Sequence, residues 1–156
     1  FESPEKLMES IDPWLRQCLE MKLPLLVTNP DVNRPGSGSP MPGRIGERYR
    51  DMGGNVLYIG KPHKGIYDEC FTIVERLTGS PLDKSRICGI GDSLLHDILG
   101  AHRNGITSIW TANGVHVNEM DGAVEGSNQL VARESLENLF VKYDIFPDYT
   151  LPCFLW

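Results

Sequence analysis

The 156-residue chain lacks a basic cluster. Fifteen Lys and Arg stand against 21 Asp and Glu, a formal net charge of −6. Nucleic-acid modules normally carry a basic stripe, so that class is set aside. It lacks a long apolar run as well: stretches such as Leu23–Val27 fall far short of the ~18 residues needed to cross a bilayer. No N-terminal apolar stretch reads as a signal peptide. There is no C-x-x-C pair among Cys18, Cys70, Cys88 and Cys153. Without a secretion signal, four such cysteines are expected as buried free thiols in a reducing compartment, which points to the cytoplasm.

Other absences concern chemistry. The chain has no G-x-x-x-x-G-K-[ST] loop and no G-x-S-x-G elbow. Gly89-Ile90-Gly91 begins like a dinucleotide fingerprint, but Leu94 stands where the third glycine belongs. His63, His96, His102 and His116 match no zinc spacing. What is present is ordinary for a soluble domain, with 40% hydrophobic and 23% charged residues. The length fits one domain, or one domain with a small lobe, able to bury a core without staples.

Along the chain, Leu7, Ile11, Trp14, Leu15, Cys18 and Leu19 recur at helical spacing. They predict a helix over Ser3–Lys22. Ser3-Pro4 and Asp12-Pro13 both look like a cap followed by proline at the first helical position, so one kinked helix or two short ones would fit. Leu23–Thr28 reads as a buried strand. It runs into Asn29–Gly43, where twelve of fifteen residues are Gly, Pro, Ser, Asn or Asp; irregular loops of that length are often functional. Arg44–Met52 reads as helix, stopped by Gly53-Gly54.

Then strand and helix alternate. Asn55–Ile59, Arg86–Ile90 and Ile106–Trp110 read as strands. Gly65–Thr78 and Leu95–Arg103 read as helices, with Asn104-Gly105 as a left-handed stop. This rhythm predicts βαβ units on a parallel sheet. Arg133–Tyr143 reads as a last helix, and residues 144–156 as an extended apolar tail.

In open α/β sheets, ligands bind beyond the carboxyl ends of the strands. Polar groups follow each strand here: Gly60-Lys61-Pro62-His63, then Gly91-Asp92-Ser93-Leu94-Leu95-His96-Asp97, then Thr111-Ala112-Asn113-Gly114. Converging tips would bring one lysine and two carboxylates together. That set suits a phosphate and a hard divalent cation. Gly91 would let the backbone approach, and Ser93 could offer donors at a helix N-terminus. The plainer alternative is that Asp92-Ser93 only caps a helix and that Lys61 is merely solvated.

The ordered set Asn29-Pro30-Asp31, Gly60-Lys61-Pro62, Gly91-Asp92 through Asp97-Ile98-Leu99-Gly100-Ala101, and Asn104-Gly105-Ile106 resembles the haloacid dehalogenase (HAD) superfamily. Within it, N-P-D resembles the class IIA branch. The resemblance covers roughly Leu23 to Val115. It implies an α/β fold: the end of an α/β cap domain over 1–58 with a substrate loop at 29–43, and the second half of a Rossmannoid parallel-sheet core over 59–143. It implies a magnesium-dependent phosphate-ester hydrolase that forms a phosphoaspartyl intermediate. Lys61 would be catalytic, holding the nucleophile and the phosphoryl oxygens. Asp92 and Asp97 would serve the Mg2+, and Asn29, Asp31, Lys61 and Ser93 would contact substrate. The expected partner is a small phosphate ester, with neither nucleic acid nor membrane, and with homodimerisation through the cap.

One departure stands out. The family opens its core with D-x-D-G, and none of Asp12, Asp31 and Asp51, the only aspartates before Lys61, heads a D-x-D. The chain, which begins at Phe1, is therefore expected to be the C-terminal part of a hydrolase, inactive alone. The alternative expectation is a non-catalytic chain that binds a phosphorylated ligand or a protein.

Overall fold

The computed structural model describes residues 3–34, 38–123 and 131–154. The chain divides into two compact units, Phe1–His63 and Lys64–Trp156. Among the described residues, no helix is long and apolar enough to cross a membrane.

The first unit opens with α1, Pro4–Glu20. The Ser3 hydroxyl accepts the Lys6 N–H at 3.3 Å and Pro4 takes the first position, where its missing N–H costs nothing. Asp12-Pro13 does not start a second helix; Pro13 lies inside the first. The Asp12 carboxylate instead receives two hydrogen bonds from Arg48, at 2.9 and 2.6 Å. Those bonds pull the Asp12 carboxyl below its ordinary range and push Arg48 up.

Strand β1 is Leu25–Val27, α2 is Pro42–Asp51 and β2 is Val56–Tyr58. The two strands run parallel, with Leu25 opposite Val56 and Val27 opposite Tyr58, so α2 is their crossover. The α2 helix starts two residues earlier than its apolar spacing predicts, because Pro42 suits a first helical position. Buried Tyr49 donates its hydroxyl to the Leu23 carbonyl at 2.6 Å. Gly54 lies flat against its ring, where a β-carbon would sit 2.4 Å from Cε1. Of the long loop, residues 35–37 lie outside the described residues and Pro42-Gly43 belong to α2; 29–34 and 38–41 are irregular, with one bridge between Asn33 and Pro40.

The second unit contains α3 (Lys64–Thr78), β3 (Cys88–Gly91), α4 (Leu99–Asn104), β4 (Thr107–Thr111), α5 (Arg133–Tyr143) and β5 (Tyr149–Leu151). A π-helical turn, Leu94–Ile98, leads into α4, and Gly105 ends that helix at φ +66°, as expected of a left-handed stop. The sheet order is β3-β4-β5, all parallel. Its core joins Leu94, Ile98 and Trp110 to Leu139, Phe140 and Ile145. The Trp110 ring meets Phe140 edge-on at 5.3 Å.

The parallel α/β architecture agrees with the expectation; three details do not. Strand β2 pairs with β1 rather than joining β3 and β4 in one sheet. Alternation of strand and helix predicts direction but not neighbour, and β1 occupies an edge of β2. The tail read as merely extended supplies β5, tied down where Asp148 accepts from the Ser108 N–H and hydroxyl, both at 2.8 Å. Finally, no disulfide joins the four cysteines, but they are not buried: Cys70 and Cys88 are exposed, and Cys18 and Cys153 half-buried.

Candidate functional site

In the second unit, polar groups gather beyond the carboxyl ends of β3 and β4. Asp92 follows β3 directly. The Trp110 indole N–H donates to its backbone carbonyl at 2.7 Å, and the Val115 N–H donates to its Oδ2 at 3.0 Å. Gly114 presses against the same side chain: a β-carbon there would lie 2.2 Å from the Asp92 β-carbon. Only glycine lets this loop close over the carboxylate. Asp92 lines an open hollow with Ile90, Thr111, Asn113 and Phe154. One of its oxygens, Oδ2, is thus fixed by a backbone donor.

Asp97 is buried within the π turn and accepts the Ser93 N–H at 3.1 Å. Gly91 leaves room for it; a β-carbon there would sit 2.1 Å from the Asp97 carboxyl carbon. The Ser93 hydroxyl bonds to His96 Nδ1 at 2.9 Å rather than capping the helix. Tyr67 on α3 brings its hydroxyl against Gly100; burial first, and the Asp97 charge second, push that phenol up to about 12.

In the first unit, the tips of β1 and β2 also come together. Asn29 Oδ1 accepts the Asp31 N–H at 3.1 Å. Gly60 packs against that loop, where a β-carbon would meet the Thr28 carbonyl oxygen at 2.0 Å and Pro30 Cδ at 2.8 Å. Asn29 and Asp31 therefore share one end of the small sheet with Lys61. His63 follows two residues later, its ring stacked on Tyr58 at 5.5 Å. Lys61 belongs to this unit, Asp92 and Asp97 to the other.

Sequence reasoning passed over several residues. His116, set aside as a zinc ligand, is buried and accepts the Leu94 N–H through Nε2 at 3.2 Å. Its Nδ1 lies 2.7 Å from Glu119 Oε1. Glu119 Oε2 in turn accepts from Lys142 at 2.5 Å and Tyr143 at 2.8 Å. Burial alone would raise the Glu119 carboxyl; the hydrogen bonds from Lys142, His116 and Tyr143 outweigh it and hold the group at about 2. The His116-x-x-Glu119 spacing was the available signal.

Ser108, His102 and Asp148 also meet, yet they form no catalytic triad. Ser108 is fully buried and gives its hydroxyl proton to Asp148, so His102, 3.0 Å away, donates to it rather than deprotonating it. The cluster fastens β5 to β4.

The site's donors are hard oxygens. The half-buried Asp92 carboxylate and buried Asp97, close by in sequence, fit a magnesium ion better than a soft metal. Among the described residues, no group of three or more His, Cys, Asp or Glu is gathered to hold a metal unaided.

A family model described as HAD-hydrolase-like matches residues 58–137. No curated protein matches the chain. Among solved structures, a haloacid dehalogenase-like hydrolase from Brucella suis 1330 is 29% identical with a TM-score of 0.64; the match covers 99% of this chain and 51% of that one. The p-nitrophenyl phosphatase from Archaeoglobus fulgidus is 24% identical at TM-score 0.64, covering 95% and 49%. The 4-nitrophenylphosphatase from Thermotoga maritima is 23% identical at TM-score 0.60, covering 89% and 46%. The chain thus spans about half the length of the structures it matches.

Proposed function

The chain belongs to the HAD-hydrolase-like family, and on that premise we propose that it carries the metal- and phosphate-binding part of a magnesium-dependent phosphate-ester hydrolase. The observation that carries this reading is the Asp92 carboxylate, which lines the open hollow at the β3 tip and is held there through Oδ2 by the Val115 N–H. Asp92 and Asp97 would hold the Mg2+, Asp97 directly or through water. Magnesium, when bound, neutralises charge on the phosphoryl oxygens.

Lys61 is assigned to the phosphoryl oxygens and to the attacking carboxylate, since phosphoryl transfer rests mainly on positioning and charge neutralisation. Asn29 and Asp31, beside Lys61 in the first unit, are assigned to screening the ester's leaving group. With its N–H on Asp97 and its hydroxyl on His96, Ser93 serves by seating Asp97 and can touch substrate only through the hydroxyl's remaining capacity. The nucleophilic aspartate and its partner acid are supplied by polypeptide outside these 156 residues. The edge of β3 away from β4, unpaired among the described residues, is assigned to the strand that bears them, because an open strand edge is a template for a further strand. Pairing through the first unit and a cytoplasmic setting complete the proposal.

The absence of D-x-D favours a second reading for the chain by itself: a binder of phosphorylated ligands that does not turn them over. An assay of the purified chain on p-nitrophenyl phosphate with magnesium separates the readings from a third outcome. No hydrolysis is expected, because no nucleophile forms the covalent intermediate. Magnesium-dependent turnover abolished by Asp31→Asn would place the nucleophile in this chain and overturn the assignment.

A further inference from the structure

Two stretches of the second unit are joined reciprocally. The Val115 N–H reaches back to the Asp92 carboxylate at 3.0 Å, and the Leu94 N–H reaches forward to His116 Nε2 at 3.2 Å. Each stretch thus gives one backbone donor to a side chain of the other, within two residues of the Asp92 carboxylate on one side and one residue of Val115 on the other.

An imidazole nitrogen that accepts an N–H carries no proton itself. The proton of neutral His116 therefore sits on Nδ1 and goes to Glu119 Oε1, 2.7 Å away. Glu119 is fixed by Lys142 and Tyr143 at the end of α5. The ring is 5% exposed, meeting Tyr143 edge-on at 4.9 Å and lying 6.3 Å from Trp110. Both its nitrogens and its plane are determined.

We propose that His116 is a positioning residue: it clasps the start of the π turn so that the Val115 N–H stays on Asp92 and the carboxylate stays aimed at the metal. The function of the clasp rests on the reading of Asp92 as a metal ligand. Through Glu119 it also ties the end of α5 to the β3 tip. A buried histidine in hydrogen-bond contact with a carboxylate invites a catalytic role, but His116 has both nitrogens committed within the protein and acts only through Leu94 and Val115.

Amide hydrogen exchange on the full 156-residue chain tests this, because the Val115 amide reports the seat of Asp92 directly. In His116→Gln the amide oxygen can take the place of Nε2 and keep the Leu94 bond. In His116→Asn the side chain reaches Glu119 but not Leu94. Val115 exchange should rise about tenfold in His116→Asn, the equivalent of one lost hydrogen bond, and stay near wild type in His116→Gln, with the Ile109 amide of β4 unchanged in both. A purely structural role would raise Val115 and Ile109 together, and that result, or an unmoved Val115 in His116→Asn, overturns the proposal. Should His116→Asn not fold, Glu119→Gln must raise Val115 exchange more than Ile109 exchange. Mn2+ broadening of the Asp92 resonance is read in the same samples. Its absence in wild type overturns the metal reading while leaving the clasp to be judged by exchange.

Discussion

Gly91 and Asp97 occupy each other's space: a β-carbon on Gly91 would lie 2.1 Å from the Asp97 carboxyl carbon. Asp97 is buried and bonded to the Ser93 N–H, so it has nowhere to retreat. Gly91→Ala is expected to destabilise the second unit by about 1–3 kcal/mol, the usual cost of overpacking. It should also swing Asp97 off Ser93. Thermal unfolding reads the first effect, and the Ser93 amide exchange rate reads the second.

Trp110 is fully buried and its indole N–H holds the Asp92 carbonyl at 2.7 Å. Trp110→Phe keeps an aromatic ring against Phe140 but loses that donor. A cost of about 1–3 kcal/mol is expected, combining an unsatisfied carbonyl with lost volume. The Asp92 and Ser93 amides should exchange faster than those at the far end of β3. Uniform loosening of the sheet would argue that the indole N–H has no special part in holding the tip.

Acid should act through Glu119. Its carboxyl moves from an ordinary 4.5 down to about 2 on folding. A group whose pKa falls on folding adds stability at pH above the unfolded value and loses it as pH drops through the folded one. The second unit should therefore weaken as pH falls from about 4.5 towards 2. In Glu119→Gln that part of the acid sensitivity should vanish, at a cost near neutral pH of about 1–3 kcal/mol for the weakened charged hydrogen bonds. Urea melts of both proteins across this range decide it; parallel acid limbs would contradict the assignment.

Much of this was legible from residue order. Glycine and proline punctuation located α2, the end of α4 and strands β1 to β4 to within two or three residues, because backbone conformation at those positions is a local matter. The HAD motifs pointed to Asp92, Asp97 and Lys61, of which Asp92 and Asp97 lie in one unit and Lys61 in the other. Sheet partnership was not legible: β2 lies against β1 because of their register, which no single segment encodes. Strand β5 escaped notice because three residues pinned by Asp148 on Ser108 leave little periodicity. The bracing at His116 was hidden for a similar reason. Its partner Leu94, and Lys142, which holds its partner Glu119, stand 22 and 26 residues away in the chain, and only folding joins them. Ser93 stands at the N-cap position, but its hydroxyl goes to His96 and makes no capping bond; the Asp97 carboxylate takes the Ser93 N–H instead.

The central claim is that the β3 tip is a hard-cation site, and Mn2+-induced broadening of backbone amide resonances tests it most directly. Manganese prefers the same oxygen donors as magnesium and needs no turnover to be seen. On titrating the 156-residue chain, saturable broadening is expected at Asp92, Ser93, Asp97 and Asn113, reversed by excess Mg2+ and lost in Asp92→Asn. Broadening that survives Asp92→Asn, or that spreads without preference over the acidic surface, would contradict the account.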